Sequence, residues 1–421
     1  MNTAAGPNIL LVVVDCLRAD FAYDAELART PALDRLRAGG FSFLNTIAAT
    51  STTTPCFATL LTGLYPFEHG VRSHSEYSLA EGVTTIAGLL AEAGYYTRAE
   101  VTGPLGPEVG LDRGFADYRF RSKEQTIHTA WGAELLSSMQ HMPREPWFVL
   151  LHLWPLHKSR QVPPEVDDRR FGKTRYGRAL AGIDRYLARL LDLLPENTLT
   201  VLTGDHGEDI ARGPLDRLQK KLRKKLQRYR VTRGLTRRHV ATLYRGCHVG
   251  HGYGLYETLI KVPLILHLPA RIPHGRSELQ VRHLDVAPTI LELAGAPAGQ
   301  TTGASLLGMM RGEDHDHRPA YLEAVGRIMP DENDWLAGMR VENRYKYIYA
   351  PHRDDFEPQL FDLTADPGEK RNVARHRPEV AARLRGAIED LPADAMRGAR
   401  MDAATRQRVM ERLRDLGYAD D

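Results

Sequence analysis

The chain has 421 residues, 43% hydrophobic and 26% charged, with a formal net charge of +3. That length permits a large buried core and exceeds a single minimal domain, while the near-neutral balance names no partner by itself. Its three cysteines, Cys16, Cys56 and Cys247, are odd in number and widely spaced, which excludes a disulfide framework or a thiolate metal spacing and suits a reducing compartment.

The amino-terminal segment lacks the basic start, longer apolar core and cleavage site of a signal peptide. No stretch approaches the roughly 18 apolar residues of a membrane span. The expectation is a soluble, cytoplasmic chain. Ile9–Val14 is apolar and rich in β-branched residues, as a central parallel strand requires, and Asp15 follows it. Pro31 opens a helix with Leu33 and Leu36 on one face, ended by Gly39-Gly40, and Phe41–Ile47 then reads as extended. Ile86, Leu89, Leu90 and Ala93 share one face of a helix over 84–93 that Gly94 stops. Further strands are expected at Tyr95–Val101, Trp147–Leu153, Leu199–Thr203 and Val262–Leu268, with helices at Arg175–Leu194 and Val286–Ala294. This alternation predicts an α/β fold with a mainly parallel sheet flanked by helices. From about Gly326 the texture changes to short strands at Trp335–Arg340, Arg344–Ala350 and Gln359–Asp362, then helices at Pro378–Leu391 and Ala404–Leu416. The expected division is therefore a catalytic domain over 1–325 and a small α+β subdomain over 326–421.

Ligands of open α/β sheets sit beyond the carboxyl ends of strands. Asp15 and Asp205 both fall there, so they are expected near each other. Asp15 suits either a metal ligand or a cap for the following turn. In Asp205-His206-Gly207-Glu208, adjacent Asp and His can ligate one divalent ion, the glycine allowing close approach. Glu208 either orients His206 or begins a helix. Cys247-His248-Val249-Gly250-His251-Gly252 places two histidines in a glycine-rich loop. There, His251 can bind an anion's oxygen or donate a proton, and His248 reads by default as solvated. His157 follows a buried strand and can point into a site or lie on a surface loop; His152 reads as a hydrogen-bonded core position.

Thr50–Gly63 sets five hydroxyl residues, Thr50 to Thr54, before Pro55. Asn8–Asp20, Thr53–Gly63, Tyr65–Val71, Thr203–Glu208, Gly250-His251-Gly252, Tyr256–Ile265 and Asp285–Thr289, in this order, resemble the sulfatase family of the alkaline phosphatase superfamily. So do Lys346-Tyr347-Ile348, Leu360–Leu363, Asp366-Pro367 and Asn372, and the match covers nearly the whole chain. The resemblance implies an alkaline-phosphatase-like sandwich. It lays Thr53 over the first position of the family's C-x-P-S-R-x-x-L-x-T-G signature, with Thr50, Thr52 and Thr54 as adjacent alternatives. It further implies that Asp15, Asp205, His206 and Thr53 hold one divalent cation, with His157 and His251 binding substrate oxygens or protonating the leaving group. Lys261 and His248 are candidate substrate-binding residues. Hard carboxylates with one imidazole suit Mn²⁺, Mg²⁺, Ca²⁺ or Zn²⁺.

The departures bear on mechanism. Sulfatases oxidise Cys or Ser at the signature's first position to formylglycine, whereas oxidising Thr53 would give a ketone, so no formylglycine is expected. Cys56 and Phe57 replace the signature Ser and Arg, and Cys16 replaces the second residue of the family's aspartate pair, which disfavours a second metal. A threonine nucleophile fits a phosphate mono- or diester and a phosphothreonine intermediate, released by hydrolysis or transfer. The alternatives are a sulfate-ester or sulfamate hydrolase or transferase using unmodified Thr53, and a catalytically silent binding protein. Cys56 is a minor candidate nucleophile. The basic segment 212–246 carries residues such as Arg217, Lys220, Lys221, Lys224 and Arg228, with leucines at helical spacing. It is read either as a solvated helix or as an anion-attracting lid for a polyanion, phospholipid or acidic carrier.

Overall fold

The computed structural model describes residues 6–157, 160–210, 218, 251–393 and 397–418. Its first strand, β1 (Asn8–Val14), is buried along its whole length. Alternate side chains of β1 feed two cores. Ile9, Leu11 and Val13 pack with Phe57, Leu60 and Ile290, while Leu10, Val12 and Val14 pack with Leu33, Leu36 and Leu180. A strand covered on both faces has no solvent side, so its run is apolar throughout rather than alternating.

Eight further strands follow before the second sheet: β2 (Phe41–Ile47), β3 (Tyr77–Ser78), β4 (Tyr96–Val101), β5 (Asp117–Phe120), β6 (Trp147–Leu153), β7 (Thr198–Gly204), β8 (Lys261–His267) and β9 (Gly275–Arg282). The large sheet has eight strands in the order β5-β4-β6-β1-β7-β8-β2-β9. Only β8 runs against the rest, pairing antiparallel with β7 and β2. The amino-terminal end of β8 therefore lies at the carboxyl edge of its neighbours. A second, antiparallel sheet comprises β10 (Ala320–Ala324), β11 (Leu336–Val341), β12 (Tyr345–Tyr349) and β13 (Gln359–Asp362). Its β10 lies ahead of the break expected at Gly326. A two-stranded ribbon joins β3 to β14 (Ala399–Arg400).

The long helix Arg175–Leu191 opens where the Thr174 hydroxyl accepts from Gly177 N. Its buried Asp184 accepts from Ala32 N and Leu33 N, at 3.0 and 2.9 Å, and so satisfies the first turn of the helix Pro31–Gly39 from across the core. Desolvation pushes the Asp184 carboxyl up to about 6, although these donors oppose it. Most expected elements stand within a few residues of their observed bounds, and Phe41–Ile47, Trp147–Leu153, Val286–Ala294 and Gln359–Asp362 coincide with them. Strands β5, β9 and β10 and the helix Ala130–Gln140 lie outside the sequence expectation. Among the described residues, no helix is long and apolar enough to cross a membrane.

A buried ion pair ties the loop ahead of β3 to β10 of the second sheet. Both Arg72 and Glu323 are essentially inaccessible, and the guanidinium meets the carboxylate at 2.8 and 2.5 Å. Tyr321 donates to the same carboxylate at 2.9 Å, and Trp335 stacks over the arginine at 4.3 Å. Removing one partner leaves the other charge desolvated and uncompensated. Arg72→Ala should therefore destabilise the protein by about 3–5 kcal/mol in denaturant titration. The pair Arg72→Met with Glu323→Leu should cost less than the single change. An unchanged midpoint for Arg72→Ala would mean that this buried contact adds nothing to stability.

Candidate active site

The register of the large sheet builds the site. Val14 of β1 pairs with Gly204 of β7, so the next residues, Asp15 and Asp205, leave the sheet side by side. The turn after β7 is pinned by Gly207 N donating to Leu259 O at 2.7 Å. A Cβ at Gly207 would stand 2.1 Å from Thr258 O, so no other residue allows this approach.

Asp205 Oδ1 accepts from Cys16 N at 2.9 Å and His206 N at 2.7 Å. Asp205 Oδ2 and both oxygens of Asp15 are buried without a hydrogen-bond partner. Ligand atoms of Asp15, Asp205 and His206 lie within 4.8 Å of one another. Burial, reinforced by the Asp205 charge, pushes the Asp15 carboxyl well above the ordinary range. Two desolvated carboxylates with orphaned oxygens and a neighbouring imidazole fit a divalent cation, which would relieve both costs. The structure brings together three of the four residues that the sequence resemblance implied as ligands, Asp15, Asp205 and His206.

The orientation of His206 suits that task. Its Nδ1 lies 2.7 Å from Gly207 O, a contact that requires an N–H, which leaves the Nε2 lone pair free. Desolvation lowers its pKa and keeps the ring neutral. Thr53 Oγ1 stands 3.1 Å from that Nε2. Thr53 opens the helix Thr53–Thr62 and is fully buried; Thr52 supplies no side-chain cap to this helix. The positive end of the helix dipole therefore lies at the hydroxyl, where it favours negative charge.

Histidines surround this cluster. His152 is buried, as a core residue is, but its Nε2 lies 3.4 Å from Asp15 Oδ2 while Nδ1 faces Thr102 O at 3.2 Å. With the proton on Nδ1, two acceptors face each other, an arrangement that a cation or a shared proton must bridge. His74 was not anticipated. Thr54 donates to Pro104 O, so it accepts from His74 Nδ1, at 2.7 Å, and His74 Nε2 is left buried without a partner. Arg327 packs beside this group, over the ring of Tyr418 at 4.8 Å.

His251 lies in the cluster, its ring 4.5 Å from that of His206 and 5.5 Å from that of His157. Glu208 partners His251 rather than His206, whose Nδ1 is already engaged: Glu208 Oε2 stands 3.4 Å from His251 Nδ1. Burial raises the Glu208 carboxyl, but the His251 contact and charge outweigh it and hold the group down at about 2. His157 stacks on Trp154 at 4.0 Å, and its Nε2 meets Tyr418 OH at 3.0 Å. Tyr418 thus reaches the pocket from beyond the helix Ala403–Asp415. No motif marks Tyr418, His74 or Arg327; long-range packing alone brings them here.

Lys261 opens β8 at the correct edge but is half-buried among other charges. Its electrostatic neighbours are Glu257, Arg340, Asp20 and Glu278, outside the cluster. His248 and the basic segment 212–246, Leu218 excepted, lie outside the described residues.

Residues 7–296 match the Sulfatase family model, and residues 253–394 match the N-sulphoglucosamine sulphohydrolase C-terminal model. An N-acetylgalactosamine-6-O-sulfatase of Bacteroides thetaiotaomicron is 24% identical over 91% of this chain and 93% of its own. Among solved structures, a 2-O GAG sulfatase superposes with a TM-score of 0.69 at 18% identity, covering 95% of this chain and 96% of that one. The phosphonate monoester hydrolase of Agrobacterium radiobacter does so with a TM-score of 0.69 at 19% identity, covering 93% and 96%. The strand-edge carboxylates, the matched length and the shared architecture agree, and the chain belongs to the sulfatase family.

Proposed function

We propose that this protein hydrolyses a singly charged tetrahedral ester, a sulfate monoester foremost, with unmodified Thr53 as nucleophile. The observation that carries this is Thr53 Oγ1 at 3.1 Å from His206 Nε2, beside the orphaned oxygens of Asp15 and Asp205. Asp15, Asp205, His206 and Thr53 would hold one divalent cation. When bound, such a cation lowers the effective pKa of the hydroxyl and offsets charge developing on the ester.

Thr53 Oγ attacks sulfur in line as the S–O bond to the leaving group breaks, and the hydroxyl proton passes to a basic group. His157 or His251 returns a proton to the departing alkoxide. Water then attacks the sulfated Thr53, restoring the hydroxyl and releasing sulfate. The relatives support sulfate over the phosphoryl chemistry that the threonine alone favours.

Charge supports a monoanion. Phe57, standing where the family signature has Arg, packs edge-on against His152 at 4.8 Å and offers no cation. With Asp15, Asp205 and Glu208 buried at the cluster, one bound divalent cation and the nearby Arg327 would leave the pocket little surplus positive charge for a dianion. A phosphate diester is also a monoanion. It is the second reading, supported by the threonine, which needs no aldehyde to complete phosphoryl transfer. The division into 1–325 and 326–421 is part of the same proposal, with Arg327 and Tyr418 as the C-terminal contribution to the pocket.

Metal-loaded protein should turn over an aryl sulfate fastest, an aryl phosphodiester next and an aryl phosphate monoester slowest. Turnover of the diester without the sulfate would transfer the assignment to the second reading. A preference for the dianionic monoester would overturn the charge argument. Binding of the cation with no turnover of any ester would favour a silent binding protein.

A further inference from the structure

Beside the cluster that faces Thr53, three other ligand types converge. Cys16 Sγ lies 3.9 Å from Glu208 Oε2 and 3.9 Å from His251 Nδ1, and those two atoms are 3.4 Å apart. All three residues are buried. Tetrahedral zinc with bonds of about 2.3 Å to sulfur and about 2.0–2.2 Å to nitrogen or oxygen sets its ligands roughly 3.3–3.6 Å apart. The observed triangle needs to contract by only a few tenths of an ångström. Cys16 is held in place by a left-handed backbone, φ 60°, and by its N–H bond to Asp205 Oδ1, so the thiol stands beside the aspartate pair by construction.

We propose that Cys16, Glu208 and His251 form a second metal site, of the zinc class, next to the one built on Asp15, Asp205 and His206. A thiolate, an imidazole and a carboxylate make a donor set softer than the first site's, which selects zinc over magnesium or calcium. Charge is compatible with this: two divalent cations would match the four anions Asp15, Asp205, Glu208 and an ionised Cys16, with His251 then neutral and bound to the metal. Occupation releases the thiol proton to solvent and moves the His251 proton to Nε2. The Cys16 substitution, which from sequence disfavours a second metal, is on this account the feature that defines it. The inference is independent of which ester is cleaved, because it is read from metal content and sulfur spectroscopy.

The full-length protein is loaded with zinc, dialysed and analysed for metal per chain; a cobalt-substituted sample is examined for a thiolate-to-cobalt charge-transfer band in the near ultraviolet. Two metals per chain and a clear band are expected. Cys16→Ser should drop the content to one and abolish the band, while Cys56→Ala and Cys247→Ala should keep both. Cys16→Asp, which offers oxygen in place of sulfur, should hold two metals without the band, and it decides the matter if Cys16→Ser does not fold. One metal per chain and no band in the wild type would overturn the second site, leaving Cys16, Glu208 and His251 as a hydrogen-bonded network and the reading of Thr53 intact. A band that survives Cys16→Asp would assign the sulfur elsewhere and overturn it equally.

Discussion

Thr53→Ala should lower turnover of the best ester by about 10³-fold or more with the bound metal retained, because the change deletes the attacking atom and little else. The neighbouring hydroxyl of Thr54 is otherwise occupied. Thr54 gives its proton to Pro104 O and takes one from His74, so it lacks a free role at the cluster. The Cys56 thiol donates to Thr50 O at 3.2 Å, and burial pushes its pKa well up, which keeps it protonated and unreactive. Thr53→Ser keeps a hydroxyl on the same carbon and should retain much of the activity. Mass spectrometry of the quenched wild-type reaction should find the sulfuryl or phosphoryl group on the peptide containing residue 53. Undiminished turnover in Thr53→Ala would sink the nucleophile assignment.

Asp205→Asn should weaken divalent-metal affinity by on the order of 10²-fold or more, and turnover with it. Asp205 does two things at once. Oδ1 fastens the turns after β1 and β7 by accepting from Cys16 N and His206 N, while Oδ2 is unpartnered 3.4 Å from His206 Nε2. An amide can keep the first role with its oxygen, but it then presents a neutral NH₂ where a cation needs an anionic oxygen. The fold should persist, and calorimetric titration with Mn²⁺ or Zn²⁺ should register the loss. Affinity equal to that of the wild type would remove Asp205 from the ligand set.

The parts legible in sequence were those whose local pattern and final environment agree. β1, β6 and β7 are sandwiched strands, so apolar runs announced them, and the polar residues just past β1 and β7 stood out as site candidates. The missed elements lack that agreement. Asp117–Phe120 and Gly275–Arg282 are polar edge strands, and Ala320–Ala324 is short and composed largely of helix-favouring residues that tertiary burial turns into a strand. The site divides in the same way. Asp15, Thr53, Asp205, His206 and His251 lie in recognisable blocks and meet in the structure. Glu208, read as orienting His206 or beginning a helix, instead meets His251, because Gly207 O takes His206 Nδ1, a backbone contact that sequence does not display. His152 is both a core residue and a neighbour of Asp15, a combination that burial patterns cannot separate.

The pairing of Val14 with Gly204 sets two carboxyl groups together in the interior, and burial with the Asp205 charge holds the Asp15 carboxyl well above the ordinary range. Groups from the first strand, the helix at Thr53, the turn after β7 and the loop at His251 meet at one point, so no fragment of the chain can assemble the pocket. A cation that binds only the assembled form adds RT ln(1 + [M]/Kd) to stability, about 4 kcal/mol at a thousandfold excess over Kd. On the proposed metal site, free metal would therefore act on the lifetime of the whole molecule as well as on its chemistry: a shortage would idle the enzyme and, through unfolding and degradation, also deplete it.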